Sequence, residues 1–322
     1  MKILLIMPLS YGYYKEIMNI FVNRGDDVSF IPDFDESYFK RIIRKIKSID
    51  FLQNKYIQNA INKLANADFD VILLIRGYFY SASTIKWIKE KYHNSKFVMY
   101  QWDPLSVSKF DLNALGLCDS LFSFDRNDCI KFGMIYLPLF FSKLPPSYGN
   151  RDNSNNTYDF SFIGSGHSQR LFVIGNLIKE LREKGYTYYI RIYINRFEYL
   201  KGLILNLPGF RSFPKECLSF KPIPKSIAND IVQQSKVVID VHHPKQTGLS
   251  IRVMEVLGAG INIITTNKSI LDEPFYTPDS IGIIEKCRLP SNINRLLSNR
   301  EAIDVSSYEI GNWINILVPA TT

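Results

Sequence analysis

A chain of 322 residues, 46% hydrophobic and 22% charged, is long enough for two buried cores and too apolar to be disordered. Its formal charge of +8 favours anionic partners such as nucleotides or acidic lipid headgroups, without choosing among them. The four cysteines, at 118, 129, 217 and 287, form no CxxC pair, which excludes a metal-finger spacing, and the absence of any run of about 18 apolar residues excludes an obvious transmembrane helix.

KILLIMP (2–8) reads as a buried strand rather than a signal peptide, because the apolar segment is short and no small-residue cleavage site follows it. A cytoplasmic location is therefore expected, with attachment to the inner face of the cytoplasmic membrane as an option. YYKEIMNIFVNRG (13–25) has helical periodicity ending at Gly25, and DVSFI (27–31) reads as the second strand. DFDE (33–36) contains a DxD pattern and is read as a solvated loop. Helices are expected near 36–49 and 51–66. Within the first, SYFKRIIRKIKS (37–48) sets Phe39, Ile42, Ile43 and Ile46 on one face and crowds Lys and Arg onto the rest. That pattern suits an anionic membrane surface, or equally a surface helix packed on a sheet. VILLI (71–75) is a third strand with Arg76 directly after it, STIKWIKEKYH (83–93) a helix and KFVMYQW (96–102) a fourth strand; SLFSF (120–124) and MIYLP (134–138) follow.

Pro, Gly, Asn and Ser then accumulate without apolar periodicity, which marks 146–157 as a linker. The alternation restarts with strand DFSFIG (159–164), helix 169–185, strand YYIRIYI (188–194), helix 224–235, strand KVVIDV (236–241), a short helix, strand INIITT (261–266) and strand IGIIE (281–285); SSYEIGNWINIL (306–317) reads as a closing helix. Buried strands with helical crossovers imply parallel sheets covered on both faces. The expected fold class is α/β, two Rossmann-like domains facing a cleft: 1–145 on the acceptor side, the linker 146–157, and 158–322 binding the nucleotide. Ligands of such sheets sit at the carboxyl ends of the strands, so residues just after strands carry the most weight.

HHPKQTGLSIRVMEVLGAG (242–260) lies between two buried strands and is unusually polar. Ser250 is a fair N-cap for a helix from about Ile251 to Leu257. Val253, Met254, Leu257 and Ile261 then share one face, with Arg252 and Glu255 opposite. The turn Gln246-Thr247-Gly248-Leu249 leads into a helix N-terminus, where free N–H groups and partial positive charge suit phosphate. Glu255 can accept from ribose hydroxyls, and Arg252 can neutralise phosphate; alternatively the two form an exposed pair on the helix surface.

GLSIRVMEVLGAG resembles the nucleotide-sugar-binding segment of GT-B glycosyltransferases, with Glu255 in the ribose-binding position and Gly260 five residues later. Arg252, three before Glu255, is similar to a bacterial subgroup, the CgeB-like and surface-polysaccharide glycosyltransferases. The chain departs from the best-known retaining families, whose first paired Glu falls here on Thr247. YDFSFIGSGHSQR (158–170), YQWDPLS (100–106) and FSFDRNDCIKFGMIYLPLF (122–140) resemble further segments of the same enzymes. The resemblance implies a GT-B fold and sugar transfer from a nucleotide-sugar to a saccharide or lipid-linked acceptor. A UDP-sugar is the default donor, with CMP- and GDP-sugars as alternatives, and neither redox cofactor nor catalytic metal is implied.

The candidate residues follow. Gly164, Ser165, Arg170, His243, Gln246, Thr247, Gly248, Leu249, Arg252 and Glu255 are donor-binding candidates, Arg76 an acceptor-side one, and Asp103 and His167 catalytic ones. Asp103 can act as general base toward an acceptor hydroxyl or stabilise a turn with Pro104. The turn Gly164-Ser165-Gly166 offers backbone amides to phosphate or is a plain connection. Two other readings compete. A nicotinamide-dependent oxidoreductase calls for G-x-G-x-x-G after the first strand, where PLSYGYY has one glycine. A non-catalytic two-lobed binding protein fits the same architecture. No motif for nucleic acid is present.

Overall fold

ILLIM, after the exposed Lys2, and VILLI are apolar at every position, so they can be buried only in a sheet covered on both faces. They do so as β1 (Lys2–Met7) and β3 (Val71–Ile75), neighbouring interior strands of a parallel sheet ordered β2-β1-β3-β4-β5-β6 among the described residues. The remaining strands are β2 (Asp27–Pro32), β4 (Lys96–Gln101), β5 (Ser120–Ser123) and β6 (Ile135–Tyr136). The structure is a computed structural model and describes residues 1–9, 12–34, 49–64, 68–77, 80–108, 110–142, 157–298 and 303–320. The basic stretch 37–48 and all but the last residue of the linker 146–157 lie outside the described residues.

The helices of this half are α1 (Tyr13–Asn23), α2 (Ile49–Asn62), α3 (Ala82–Lys91) and α4 (Arg126–Phe132). Two of them begin at a side-chain cap: Ser81 accepts from the Thr84 N–H at the start of α3, and Asp125 from the Asn127 N–H at the start of α4. Their inward faces bury Ile17, Phe21, Ile57, Ile61, Ile85 and Ile88 against the sheet.

A second parallel sheet has the order β12-β11-β10-β7-β8-β9. Its strands are β7 (Tyr158–Ser165), β8 (Tyr188–Tyr193), β9 (Leu218–Ser219), β10 (Ser235–Asp240), β11 (Asn262–Thr265) and β12 (Ile281–Ile283). The connecting helices are α5 (Ser168–Glu183), α6 (Arg196–Ile204), α7 (Lys225–Gln233), α8 (Ile251–Gly258) and α9 (Ile293–Ser298), and α10 (Ile310–Leu317) closes the chain. Its core gathers Phe160, Phe162, Leu177, Ile190, Ile192, Val237, Ile239 and Ile264.

The chain divides into two compact units. The first holds residues 1–139, 244–248 and 310–322; the second holds 140–243 and 249–309. The second half of the chain thus returns two pieces to the first unit, a path that strand periodicity does not encode. The return of α10 is driven by burial: Ile310, Trp313, Ile314 and Leu317 are buried, the Trp313 ring meets Tyr100 edge-on at 4.7 Å, and its Nε1–H donates to the Pro138 carbonyl at 3.0 Å.

Candidate functional site

In the second unit, the carboxyl ends of β7 and β10 and the start of α8 bring polar side chains together. β7 runs out at Gly164-Ser165-Gly166, and His167 caps α5, its Nδ1 accepting from the Arg170 N–H at 3.4 Å. With Nδ1 an acceptor, the ring proton sits on Nε2. That Nε2 is buried and has no hydrogen-bond partner. Burial, then the charges of Arg170 and His243, push the His167 pKa down to about 4, so the ring is neutral at pH 7. The His243 ring lies edge-on to His167 at 5.8 Å.

Arg170 braces the strand ends. Its Nε and Nη2 donate to the Val241 carbonyl at 3.2 and 2.7 Å, and its Nη1 donates to the Ser165 carbonyl at 2.7 Å and hydroxyl at 3.2 Å. It fixes the turn 164–166 relative to the end of β10. Gly166 is needed there for packing, since an added Cβ would stand 2.8 Å from the Ile192 side chain.

The start of α8 is set by Asp240. Its buried carboxylate accepts from the Ser250 hydroxyl at 3.1 Å and from the Thr265 hydroxyl at 2.7 Å. Ser250 is the N-cap by backbone conformation, but its hydroxyl is turned to Asp240 and makes no cap hydrogen bond to the helix. Val253, Met254, Val256 and Leu257 are buried, while Arg252 and Glu255 are half-exposed. Gly260 (φ 66°) ends the helix: the Ile261 N–H bonds the Val256 carbonyl at 3.1 Å and the Gly260 N–H bonds that of Leu257 at 2.9 Å. His242 shares a 2.7 Å hydrogen bond with the Thr266 hydroxyl, and burial lowers its pKa.

Gln246, Thr247 and Gly248 belong to the first unit, whereas Leu249 is a buried residue of the second. The Thr247 N–H and hydroxyl donate to the Asp125 carboxylate at 2.8 and 2.6 Å, and the Gly248 N–H donates to it at 3.1 Å. The amides expected from sequence to face phosphate thus already hold an anion, the chain's own. An added Cβ on Gly248 would overlap Phe124, so the turn seats directly on that residue. Gln246 donates to the Gly248 carbonyl at 2.9 Å.

Elsewhere in the first unit, Arg76 follows β3 in the left-handed conformation (φ 74°), sparsely populated by non-glycine residues. Its Nε and Nη2 grip the two Asp33 carboxylate oxygens at 2.8 and 2.9 Å, and its guanidinium lies over the Phe34 ring at 5.3 Å. Asp33, the first residue of DFDE, is buried rather than solvated, whereas residues 35 and 36 lie outside the described residues; a fixed cation repays the burial of the acid. Asp103 is half-buried just past β4. Burial raises its carboxyl pKa and Arg76 partly opposes the rise. Gln101, two residues before it, is fully buried with both amide atoms unpartnered. Neither Gln101 nor Asp125 is singled out by the sequence, although both lie in stretches, 100–106 and 122–140, that resemble glycosyltransferase segments. A polar side chain at the carboxyl end of a buried strand is the signal that points to the former.

The chain is similar over nearly its whole length to several solved enzymes. An α-glucosyltransferase in complex with UDP and a 13-mer DNA containing a central A:G mismatch is 14% identical at a TM-score of 0.51, over 98% of this chain and 95% of that one. The UDP-GlcNAc 2-epimerase of Methanocaldococcus jannaschii is 10% identical at 0.56, over 99% and 98%. MnaA of S. aureus with UDP is 9% identical at 0.56, over 98% and 94%. At such identities the likeness is one of fold, and the fold is the two-sheet α/β architecture of the GT-B type. No protein-family profile and no curated protein sequence matches the chain.

Proposed function

We propose that the chain is a GT-B-type glycosyltransferase that moves a sugar from a nucleotide-sugar, a UDP-sugar by default, to a saccharide or lipid-linked acceptor, as the CgeB-like and surface-polysaccharide enzymes that its motifs resemble do. The observation that carries the reading is the half-buried, neutral His167, whose buried Nε2–H has no partner among the described residues, at the start of a 16-residue helix. An electrically neutral donor beside free helix N–H groups suits a phosphate or sugar oxygen, and it needs no proton from solvent.

In this reading the turn 164–167 and the first N–H groups of α5 take the diphosphate, Arg252 adds charge, and Glu255 accepts from the ribose hydroxyls. Arg170 and Asp240 position these groups rather than touch the ligand. The Asp125-bound turn 246–248 has a supporting role, because its amides are occupied and the carboxylate beneath them repels phosphate. Asp103 is the general base for the acceptor hydroxyl; its raised pKa brings it nearer the operating pH, where such a base works best. Arg76, held by Asp33, fixes the charge beside Asp103.

Thermal unfolding with UDP, GDP, CMP and NAD tests the donor site, because a ligand of the folded state raises the melting temperature by mass action. UDP is expected to stabilise the wild type and to lose that effect in Glu255→Ala. Stabilisation by NAD alone, or by no nucleotide, would sink the proposal. The same fold is shared by UDP-GlcNAc 2-epimerases, so turnover is read in two ways: acceptor-dependent UDP release supports transfer, and epimer formation without UDP release refutes it.

A further inference from the structure

Helix α6 is apolar on both faces, but the fold uses only one. Tyr199 and Leu203 pack on the second core, and Gly202 lies so close to the Phe210 ring that an added Cβ would overlap it. At about 100° per residue, Phe197, Leu200, Lys201 and Ile204 fall on the opposite side within an arc of roughly 100°. They cover nothing: Phe197 is 70% exposed, Leu200 56% and Ile204 81%, and Leu205, just past the helix, is 56% exposed. Scattered single exposed apolar residues are ordinary, whereas a contiguous ridge marks a docking surface.

The charge of the segment that carries the ridge indicates what covers it. Residues 196–221 contain Arg196, Lys201, Arg211, Lys215 and Lys221 against two acids, Glu198 and Glu216. Glu216 is already paired with Arg182 at 2.6 Å. All five cations are exposed, and Lys201 rises from within the apolar arc itself. Protruding apolar side chains on a segment rich in exposed Lys and Arg suit the boundary of an anionic bilayer, where the apolar tips enter the acyl layer and the cations stay among the headgroups. Among the described residues no helix is long and apolar enough to cross a membrane, so this contact would be made at the surface.

We infer that the outer face of α6, with the turn that follows it, docks the second unit onto an anionic lipid surface. The inference stands independently of the sugar-transfer reading, since it uses none of the candidate site residues.

Co-sedimentation of the full chain with vesicles of phosphatidylcholine alone, or of phosphatidylcholine with phosphatidylglycerol, tests it. Wild type is expected to bind the anionic vesicles, less strongly as salt rises, and to leave the neutral ones in suspension. The triple variant Phe197→Ser, Leu200→Ser, Ile204→Ser is expected to lose roughly a hundredfold in partitioning, as three apolar side chains no longer enter the bilayer. These positions are exposed, so the variant should fold, as circular dichroism would verify. A second variant, Lys201→Glu with Lys221→Glu, should weaken binding to anionic vesicles without removing apolar area. Wild type that fails to bind, that binds both vesicles alike, or that binds no better than the triple variant would each overturn the inference. So would a concentration-dependent dimer, seen by sedimentation without lipid, that the triple variant abolishes, because the ridge would then be covered by a second copy.

Discussion

Replacing Asp125 with alanine strips four donors of their acceptor at once: the N–H groups of Asn127, Thr247 and Gly248 and the Thr247 hydroxyl. The carboxylate is buried, so water cannot readily substitute. Loss of the helix cap costs about 1 kcal/mol. Hydrogen bonds to a charged acceptor contribute about 1.5–3 kcal/mol each, less whatever relaxation recovers. Asp125→Ala is therefore expected to destabilise the first unit by about 3–6 kcal/mol, a large share of the roughly 5–15 kcal/mol typical of a folded domain. Tryptophan fluorescence is the right probe, because Trp87, Trp102 and Trp313 all lie in the first unit. With a urea dependence of about 1–3 kcal/mol per molar, the fluorescence midpoint should fall by about 2 M. Asp125→Asn keeps one acceptor oxygen but turns an amide donor toward existing donors, so it should fall between wild type and alanine. A loss below about 1 kcal/mol in the alanine variant would refute the view that this carboxylate anchors the turn 246–248.

Three other outcomes follow from the same structure. The His167 pKa of about 4 in the folded chain lies below the 6.5 of a free imidazole, so the unfolded state binds more protons between those values. Stability should thus be full above pH 6.5 and fall as the pH drops toward 4, and His167→Gln should flatten the profile seen by circular dichroism. Arg76→Ala leaves the buried Asp33 without its two-pronged partner and should cost about 3–5 kcal/mol by urea unfolding, with Arg76→Lys recovering only part because an ammonium cannot reproduce the fork. Gly258→Ala places a methyl group into the Phe141 ring and should lower stability by about 1–3 kcal/mol, partly restored by the smaller Phe141→Leu partner, as thermal melts would show.

The long apolar runs were legible because their burial on both faces leaves one reading: the predicted strands at 2–8, 71–75, 96–102 and 236–241 appear within a residue or so as β1, β3, β4 and β10. Ser250 and the buried face of α8 were equally plain, since a cap followed by helical spacing is a local signal. Helix α6 was not visible. Apolar residues on both its sides erase the periodicity on which helix prediction depends. The two-residue β9 offers too little length to register. Asp125 is a different kind of gap: its partners lie 122 and 123 residues away, so nothing near it in sequence hints that it closes a turn. The same holds for the Arg76–Asp33 pair, 43 residues apart, where each residue alone looks like an exposed charge.

The routing of the chain has a consequence for its birth. A ribosome delivers residues in order, yet the first unit needs the turn 244–248 to neutralise its Asp125 pocket and α10 to cover Tyr100 and the Pro138 carbonyl. Until the last of these has emerged, the nascent first half carries a buried-type carboxylate without donors and an aromatic surface open to solvent. The N-terminal half is thus the earlier made and the later finished, its completion waiting on a helix that ends at Leu317.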